Sequence, residues 1–331
     1  MKKLLPIILI LSALLLSSCV KQKEKREFFA MDTHMTVTIY GPTADVAAAD
    51  AQSEVERLDA LFNAENADSE IGRLNKSRAA SLSEDTRRLL KLALEYSGET
   101  DGAFDPTVRP LVRLWGFTSG DYRVPSSSEI ASALALVDHD AVSVTDNEAK
   151  ITREGVEIDL GGIAKGYTSD ALTEMLSTEG IRGAIVDLGG NIQTFGKKPD
   201  GSDWKVAVKD PDGDGTLCTL TIGEKAVITS GGYERYFTEN DKTYCHIIDP
   251  ESGRPVENDL SSVTIVADSG ALADALSTAL FVMGREKAEE FWKSSSLDFD
   301  FLLYTTDKKL YVSDGIADSV SDGLDFETVA R

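Results

Sequence analysis

Apolar and polar positions change period several times along the chain, and each change marks an element. In residues 28–40 (FFAMDTHMTVTIY) β-branched residues alternate with polar ones between Thr36 and Ile39, which predicts a strand. Residues 44–62 switch to helical spacing through Val46, Val55, Leu58, Leu61 and Phe62. After a polar stretch at 63–75, a second helix is expected from Ser83 to about Tyr96, opened by Ser-Glu-Asp-Thr in the manner of an N-cap. Residues 100–107 read as a turn, 128–137 as a short helix and 142–158 as the two strands of a hairpin. Strand-like pieces follow at 184–195, 204–208, 217–222, 227–229, 244–248 and 262–266. Two helices are expected at 270–283 and 285–294, and strands at 299–304 and 309–312. Helices dominate before residue 140 and strands after it, without an internal repeat, so the fold class is α+β with mixed or antiparallel sheets and packed helices.

One junction organises the rest. Residues 150–160 alternate as a strand, and Ile163, Tyr167, Ala171, Leu172, Met175 and Leu176 recur at helical spacing, so a helix starts near Gly162 and ends at Gly180. Asp159, Gly161, Gly162 and Lys165 meet at that start. A helix start leaves backbone N–H groups unpaired and carries partial positive charge, and glycines let a ligand come close, so the junction suits an anion. The plainer reading is a strand-to-helix turn that needs glycine, with Lys165 in water. Neither the phosphate-loop spacing nor Gly-x-Gly-x-x-Gly is present, which excludes an ordinary nucleotide fold.

The first residues are processing signals rather than fold. Lys2 and Lys3 precede an apolar run at 4–16 that is shorter than the ~20 residues a spanning helix needs. Leu16-Ser-Ser-Cys19 then has the order of a bacterial lipobox, which predicts cleavage before Cys19 and lipid attachment to it. The expected organisation is a signal peptide at 1–18, a polar tether at 19–27 and one folded domain at 28–331, extracytoplasmic and anchored to the cell membrane. A net charge of −22 argues against nucleic acid as a partner. It also opposes a phosphate-bearing substrate, so a bound divalent cation would be needed to reverse the local sign. Cys218 and Cys245 lie in strand-like apolar stretches and are expected to be two buried thiols.

Three further places invite chemistry. Asp274 and Thr278 stand one turn apart on an otherwise apolar helix; the acid is costly to bury unless paired or bound to metal, and a carboxylate with a hydroxyl suits Mg²⁺ rather than Zn²⁺. A structural cap or salt bridge for Asp274 fits equally well. The Asp-rich loop at 210–215 fails as a calcium loop, because the glutamate position falls on Thr221 and strands flank it, leaving a hairpin loop. His246 closes a strand that runs into a Pro-Gly turn, and no Ser-His-Asp order or zinc spacing accompanies it.

Nine ordered motifs then coincide. They are Met31-Asp-Thr33, Asp68-Ser-Glu-Ile-Gly-Arg-Leu-Asn75, Gly102-Ala-Phe-Asp-Pro-Thr-Val108, Leu114-Trp-Gly-Phe117, Asp159-Leu-Gly-Gly-Ile-Ala-Lys-Gly166, Asp187-Leu-Gly-Gly-Asn191, Thr229-Ser-Gly-Gly-Tyr233, His246-Ile-Ile-Asp-Pro250 and Ala273-Asp-Ala-Leu-Ser-Thr278. Together, from Phe28 to the C-terminus, the chain resembles the ApbE family, the FAD:protein FMN transferases. The resemblance implies a fold related to the T-fold and an exported, Mg²⁺-dependent enzyme. Such an enzyme takes FAD as substrate, passes FMN to a threonine or serine hydroxyl of a membrane redox protein and releases AMP. Met31, Gly102, Ala103, Phe104, Asp105, Asp159 and Lys165 would contact FAD. Gly162 and Ala271 through their carbonyls, with Asp274 and Thr278, would surround the metal. His246 would sit near the dinucleotide, and His246, Asp159 and Asp274 are the candidate bases. Many members stack a tyrosine on the flavin where this chain has Glu65. An FAD pyrophosphatase using water and a non-catalytic flavin-binding lipoprotein are the alternatives.

Overall fold

Side chains of Lys23–Ala30 (β1) alternate between exposed and half-buried, and the strand pairs antiparallel with Thr33–Tyr40 (β2), from Lys23 opposite Tyr40 to Ala30 opposite Thr33. The single strand expected over 28–40 is therefore a hairpin. It folds at Met31 and Asp32, whose φ values of 47° and 58° give the left-handed pair that a two-residue turn requires. Lys23 to Glu27, expected as spacer, are sheet, and their exposed charges guard an edge strand against further pairing. The computed structural model describes residues 23–146, 148–178 and 180–331. The signal segment, Cys19 and the remainder of the tether lie outside the described residues.

The central sheet has nine strands. After β1 and β2 come Gly183–Asp187 (β3), Asn191–Gly196 (β4), Ala226–Gly231 (β5), Leu260–Ala267 (β6), Asp300–Thr305 (β7), Leu310–Ser313 (β8) and Phe326–Val329 (β9). Their order across the sheet is their order in the chain, and every neighbouring pair is antiparallel except the last. Eight α-helices accompany them among the described residues: Ala44–Phe62 (α1), Glu70–Ser77 (α2), Glu84–Glu99 (α3), Arg109–Leu114 (α4), Ser127–Leu134 (α5), Ala164–Thr178 (α6), Gly270–Met283 (α7) and Arg285–Ser294 (α8).

Strand periodicity divides the core. Ile228, Val263, Ile265, Phe301 and Leu303 pack with the helices, while Val227, Val266, Leu302 and Tyr304 on the opposite face pack with a three-stranded sheet of 204–209, 216–222 and 320–321. A strand covered on both faces is buried along its length, as β6 is at seven of its eight residues, Ser262 and Thr264 included. Cys218 and Cys245 are buried free thiols, and the 210–215 loop joins two antiparallel strands.

Three further expectations change. The polar stretch at 63–75 contains the start of α2, capped by Ser69 Oγ on the Gly72 N–H, with Ile71 and Leu74 buried at helical spacing. Of the hairpin at 142–158 only Val142–Val144 and Ala149–Ile151 are strand. Beyond them Ile158 bonds to the Asn75 side chain through both its N–H (2.7 Å) and its carbonyl (2.8 Å), so an amide takes the place of a neighbouring strand. Finally, α6 starts at Ala164, two residues later than the glycines suggest.

Candidate functional site

The loop before α6 is tied down at both ends of its turn. The Asp159 N–H donates to the Pro106 carbonyl (2.7 Å), and Asp159 Oδ1 accepts from the Gly161 N–H (2.8 Å). Gly162 is closely covered: a Cβ there would stand 3.2 Å from the Phe104 ring and 3.6 Å from Thr278 Oγ1. One turn on, Gly166 meets α7 backbone to backbone, where a Cβ would fall 2.1 Å from the Gly270 carbonyl oxygen. That contact seats Asp274 against the first turn of α6. Its Oδ2 accepts the Gly166 N–H at 2.8 Å, and the residue is only 3% exposed. The acid thus caps the start of α6. Asp170 does the equivalent service for α7, accepting from the Gly270 and Ala271 N–H groups and the Ser269 hydroxyl. Burial holds the Asp170 carboxyl above its ordinary range.

These elements wall a cavity of about 870 Å³. Met31, Ala103, Phe104, Asp105, Asp159, Gly162, Lys165, His246, Asp274 and Thr278 all line it, so residues up to 247 positions apart in sequence, Met31 and Thr278, converge on one space. Gly102 and Ala271 do not line it. Gly102, at φ 78°, allows the turn that presents Ala103 and Phe104, and Ala271 is wholly buried one turn before Asp274. Asp105 lines the cavity with its carboxylate already committed, to the Thr107 N–H and hydroxyl through Oδ1 and to His139 Nδ1 through Oδ2 (2.8 Å). Met31 is fixed by its N–H to Asp59 Oδ2 (3.0 Å).

Several residues in or behind the wall carry no sequence signal of their own, and Arg109 is one that stands behind it. Arg109, its side chain 8% exposed, binds Glu65 and Glu157 (3.1 Å) and stands 3.9 Å from Asp159 Oδ2, so Glu65 serves an ion-pair cluster where relatives are expected to stack an aromatic. Glu234, Arg235 and Lys209 bring further charge beside Lys165. Desolvation, then the neighbouring Asp274, pushes the Glu234 carboxyl up, against the pull of Lys165, Arg235 and Lys209. Only the position of Glu234 and Arg235 directly after Tyr233 of a quoted motif could have pointed to them.

His246 is positioned by strand-like pairing with Arg235. Its backbone N–H donates to the Arg235 carbonyl at 2.9 Å, and Nδ1 lies 3.2 Å from the same oxygen. A carbonyl only accepts, so Nδ1 carries the hydrogen and Nε2 keeps its lone pair. Desolvation, with the charges of Arg235 and Lys165, pushes the imidazole down to about 4, and it is neutral at pH 7. Phe117 lies edge-on at 6.5 Å, backed by Tyr122 and Phe237.

No group of three or more His, Cys, Asp or Glu that could hold a metal occurs among the described residues. Of the residues that the resemblance assigns to a metal, the oxygens on the cavity are the Asp274 carboxylate, the Thr278 hydroxyl and the Gly162 carbonyl. Such a set fits an ion that keeps waters and takes substrate phosphates as further ligands, which is how Mg²⁺ is bound, and it does not fit Zn²⁺.

Residues 31–303 match the ApbE family. The chain belongs to that family. It is 32% identical over 330 residues to the FAD:protein FMN transferase of Haemophilus influenzae, covering 93% of this chain and 94% of the relative. With the FAD:protein FMN transferase of Vibrio cholerae it shares 32% identity over 316 residues, 89% of this chain and 92% of the other. Among solved structures, the ApbE protein of Thermotoga maritima superposes with a TM-score of 0.85 at 33% identity, over 91% of this chain and all of that one. The flavin transferase ApbE of Vibrio cholerae gives 0.80 at 28% identity, over 90% and 99%.

Proposed function

We propose that this ApbE-family protein transfers FMN from FAD to a threonine or serine hydroxyl of a redox protein and releases AMP. The observation that carries this reading is the convergence on one cavity of a helix start with Lys165, a buried acid with a hydroxyl one turn on, and a neutral histidine, in a chain whose relatives are named FAD:protein FMN transferases. The acceptor oxygen bonds to the phosphorus of the FMN half, the bond from that phosphorus to the AMP oxygen breaks, and the hydroxyl proton passes to a base. His246 Nε2 suits that base by tautomer and exposure to the cavity, and Asp159 is the second candidate. Asp274 is less apt, since one of its oxygens is already bonded to Gly166.

Lys165 stabilises charge on the phosphates in a protein whose net charge is −22, whereas the Gly161, Ile163, Ala164 and Gly166 amides at the α6 start are already bonded within the protein. Asp274 and Thr278, with the Gly162 carbonyl, would hold Mg²⁺, which would supply charge neutralisation on the pyrophosphate; Ala271, buried away from the cavity, is left out of that set. Asp274→Asn keeps an acceptor for the Gly166 N–H and removes the charge. It is expected to fold normally and to lose AMP release by about a hundredfold or more, while Thr278→Val loses less. AMP release with wild-type Mg²⁺ dependence in Asp274→Asn would overturn the metal site. Incubation with FAD and Mg²⁺, with and without acceptor protein, separates transfer from hydrolysis by water and from binding without turnover.

The reading extends to location. Cys19 is proposed as the lipidated N-terminus of the mature protein, placing the enzyme on the outer face of the cell membrane. Cys19→Ala should leave the membrane fraction or remain unprocessed, and a mature N-terminus elsewhere would refute it.

A further inference from the structure

A short hairpin carries the histidine of the site. Its strands, Tyr236–Glu239 and Lys242–Cys245, pair antiparallel with Tyr236 opposite Cys245, so one step further along Arg235 stands opposite His246. The ladder continues that far, because the His246 N–H donates to the Arg235 carbonyl at 2.9 Å. Directly opposed residues of two paired strands turn their side chains to the same face. The next pair on that face is Phe237 with Tyr244, whose rings stack 5.1 Å apart. Arg235 and His246 both line the cavity, so the hairpin register delivers a cation and an imidazole there as one cross-strand pair.

The protein itself makes little use of that cation. The Arg235 side chain donates once, from Nη2 to the Asp32 carbonyl at 3.4 Å, which is long for such a bond. Among the described residues no carboxylate stands within ion-pair distance of it, and Glu234 next to it feels its charge without bonding to it. Arg109, behind the same cavity, spends its guanidinium on Glu65 and Glu157. An unpaired arginine in open water needs no explanation. This one is fixed to the cavity by its own backbone, in a chain of net charge −22, and its fork of N–H donors is left for an anion from outside.

We propose that Arg235 is a further catalytic residue, its guanidinium binding the non-bridging oxygens of the FAD phosphate that the incoming hydroxyl attacks. The inference rests on the FMN-transfer reading with His246 as the base. The acceptor oxygen bonds to that phosphorus, the bond to the AMP oxygen breaks, and the hydroxyl proton passes to His246 Nε2. Charge on the phosphoryl oxygens is met by a planar fork that can bind two of them at once. Because Arg235 and His246 are opposed on one ladder, the base and the charge-stabilising group keep a fixed separation through the reaction.

The test compares the full chain with Arg235→Met, which keeps the stem and removes the charge, and Arg235→Lys, which keeps the charge and loses the fork. FAD affinity is read by flavin fluorescence and folding by thermal melts. AMP release is read by chromatography in the presence of Mg²⁺, with and without a redox-protein subunit that the wild type labels. Arg235→Met is expected to lose about a hundredfold in kcat for AMP release, to bind FAD about tenfold more weakly and to melt with the wild type. Arg235→Lys should recover most of the binding and about a tenth of the rate. Wild-type kcat in Arg235→Met would overturn the proposal. So would equal losses in both variants with a lowered Tm, which would assign the side chain to its Asp32 contact. A raised KM for the redox subunit with AMP release in its absence unchanged would turn Arg235 toward the acceptor and overturn it too. A wild type that binds FAD yet releases no AMP under either condition would instead sink the FMN-transfer reading.

Discussion

His246 shows how one side chain links the site to stability. Its folded value of about 4 lies below the ordinary 6.5, so between those pH values the unfolded chain binds more protons than the folded one. Stability is therefore fully present above 6.5 and falls as pH drops toward 4. Thermal melts across that window should show the slope in the wild type and a flatter one in His246→Asn, while transfer activity of the variant is lost at every pH. Equal slopes would mean that the imidazole titrates normally. Asp274 could be singled out from sequence because an acid on an apolar helix has no cheap explanation, and it proves to be 3% exposed. Glu234 and Arg109 could not, because a glutamate in a bend and an arginine in a short helix are unremarkable until tertiary contacts surround them, and although Asn191 closes one of the nine motifs, only the fold shows its amide buried without a partner.

At the scale of elements, the crossing of α6 and α7 depends on Gly166 and Gly270. Gly166→Ala would bring a methyl group to 2.1 Å from the Gly270 oxygen and 2.7 Å from Asp274 Cβ, neither of which is a flexible side-chain tip. The expected result is about 1–3 kcal/mol of lost stability, read by urea unfolding, together with impaired AMP release because Asp274 moves with its helix. Wild-type stability would show that the helices slide freely. Asn75→Ala removes both bonds to Ile158 and should cost about 1–3 kcal/mol in the same assay. Helices with apolar stripes were legible, as was the glycine-rich junction before α6. What escaped included α2, too short and polar for its buried Ile71 and Leu74 to stand out, the short α4, and the 152–163 segment, where Ile158 is held by a side chain 83 positions away.

For the whole molecule, the net charge of −22 surrounds a cavity holding Lys165, Lys209 and Arg235. FAD is itself anionic, and acids such as Asp159, Asp187, Glu234 and Asp274 also line the cavity, so the distant field and much of the lining repel what the three cations attract at short range. Its association rate is expected to rise as ionic strength goes from about 0.01 to about 0.15 M, where the Debye length shortens to ~8 Å and screens the far charges first. A falling rate, by stopped-flow fluorescence, would show that the local cations dominate at all distances. The α+β class was readable from the chain, yet the layering was not, because periodicity states that a strand has two faces and leaves open which sheet covers each. The strand order has a consequence in time as well as in space. Since β1 to β9 lie side by side in the order of synthesis, each new strand of the central sheet can add to the rim left by its predecessor, and none has to be wedged between two already joined. A growing chain halted before Asp300 would present β6, buried along almost its whole length in the finished protein, as an open apolar rim. Arrest or truncation at that point should yield aggregates, whereas a chain extended through Ser313 covers the rim and stays in solution.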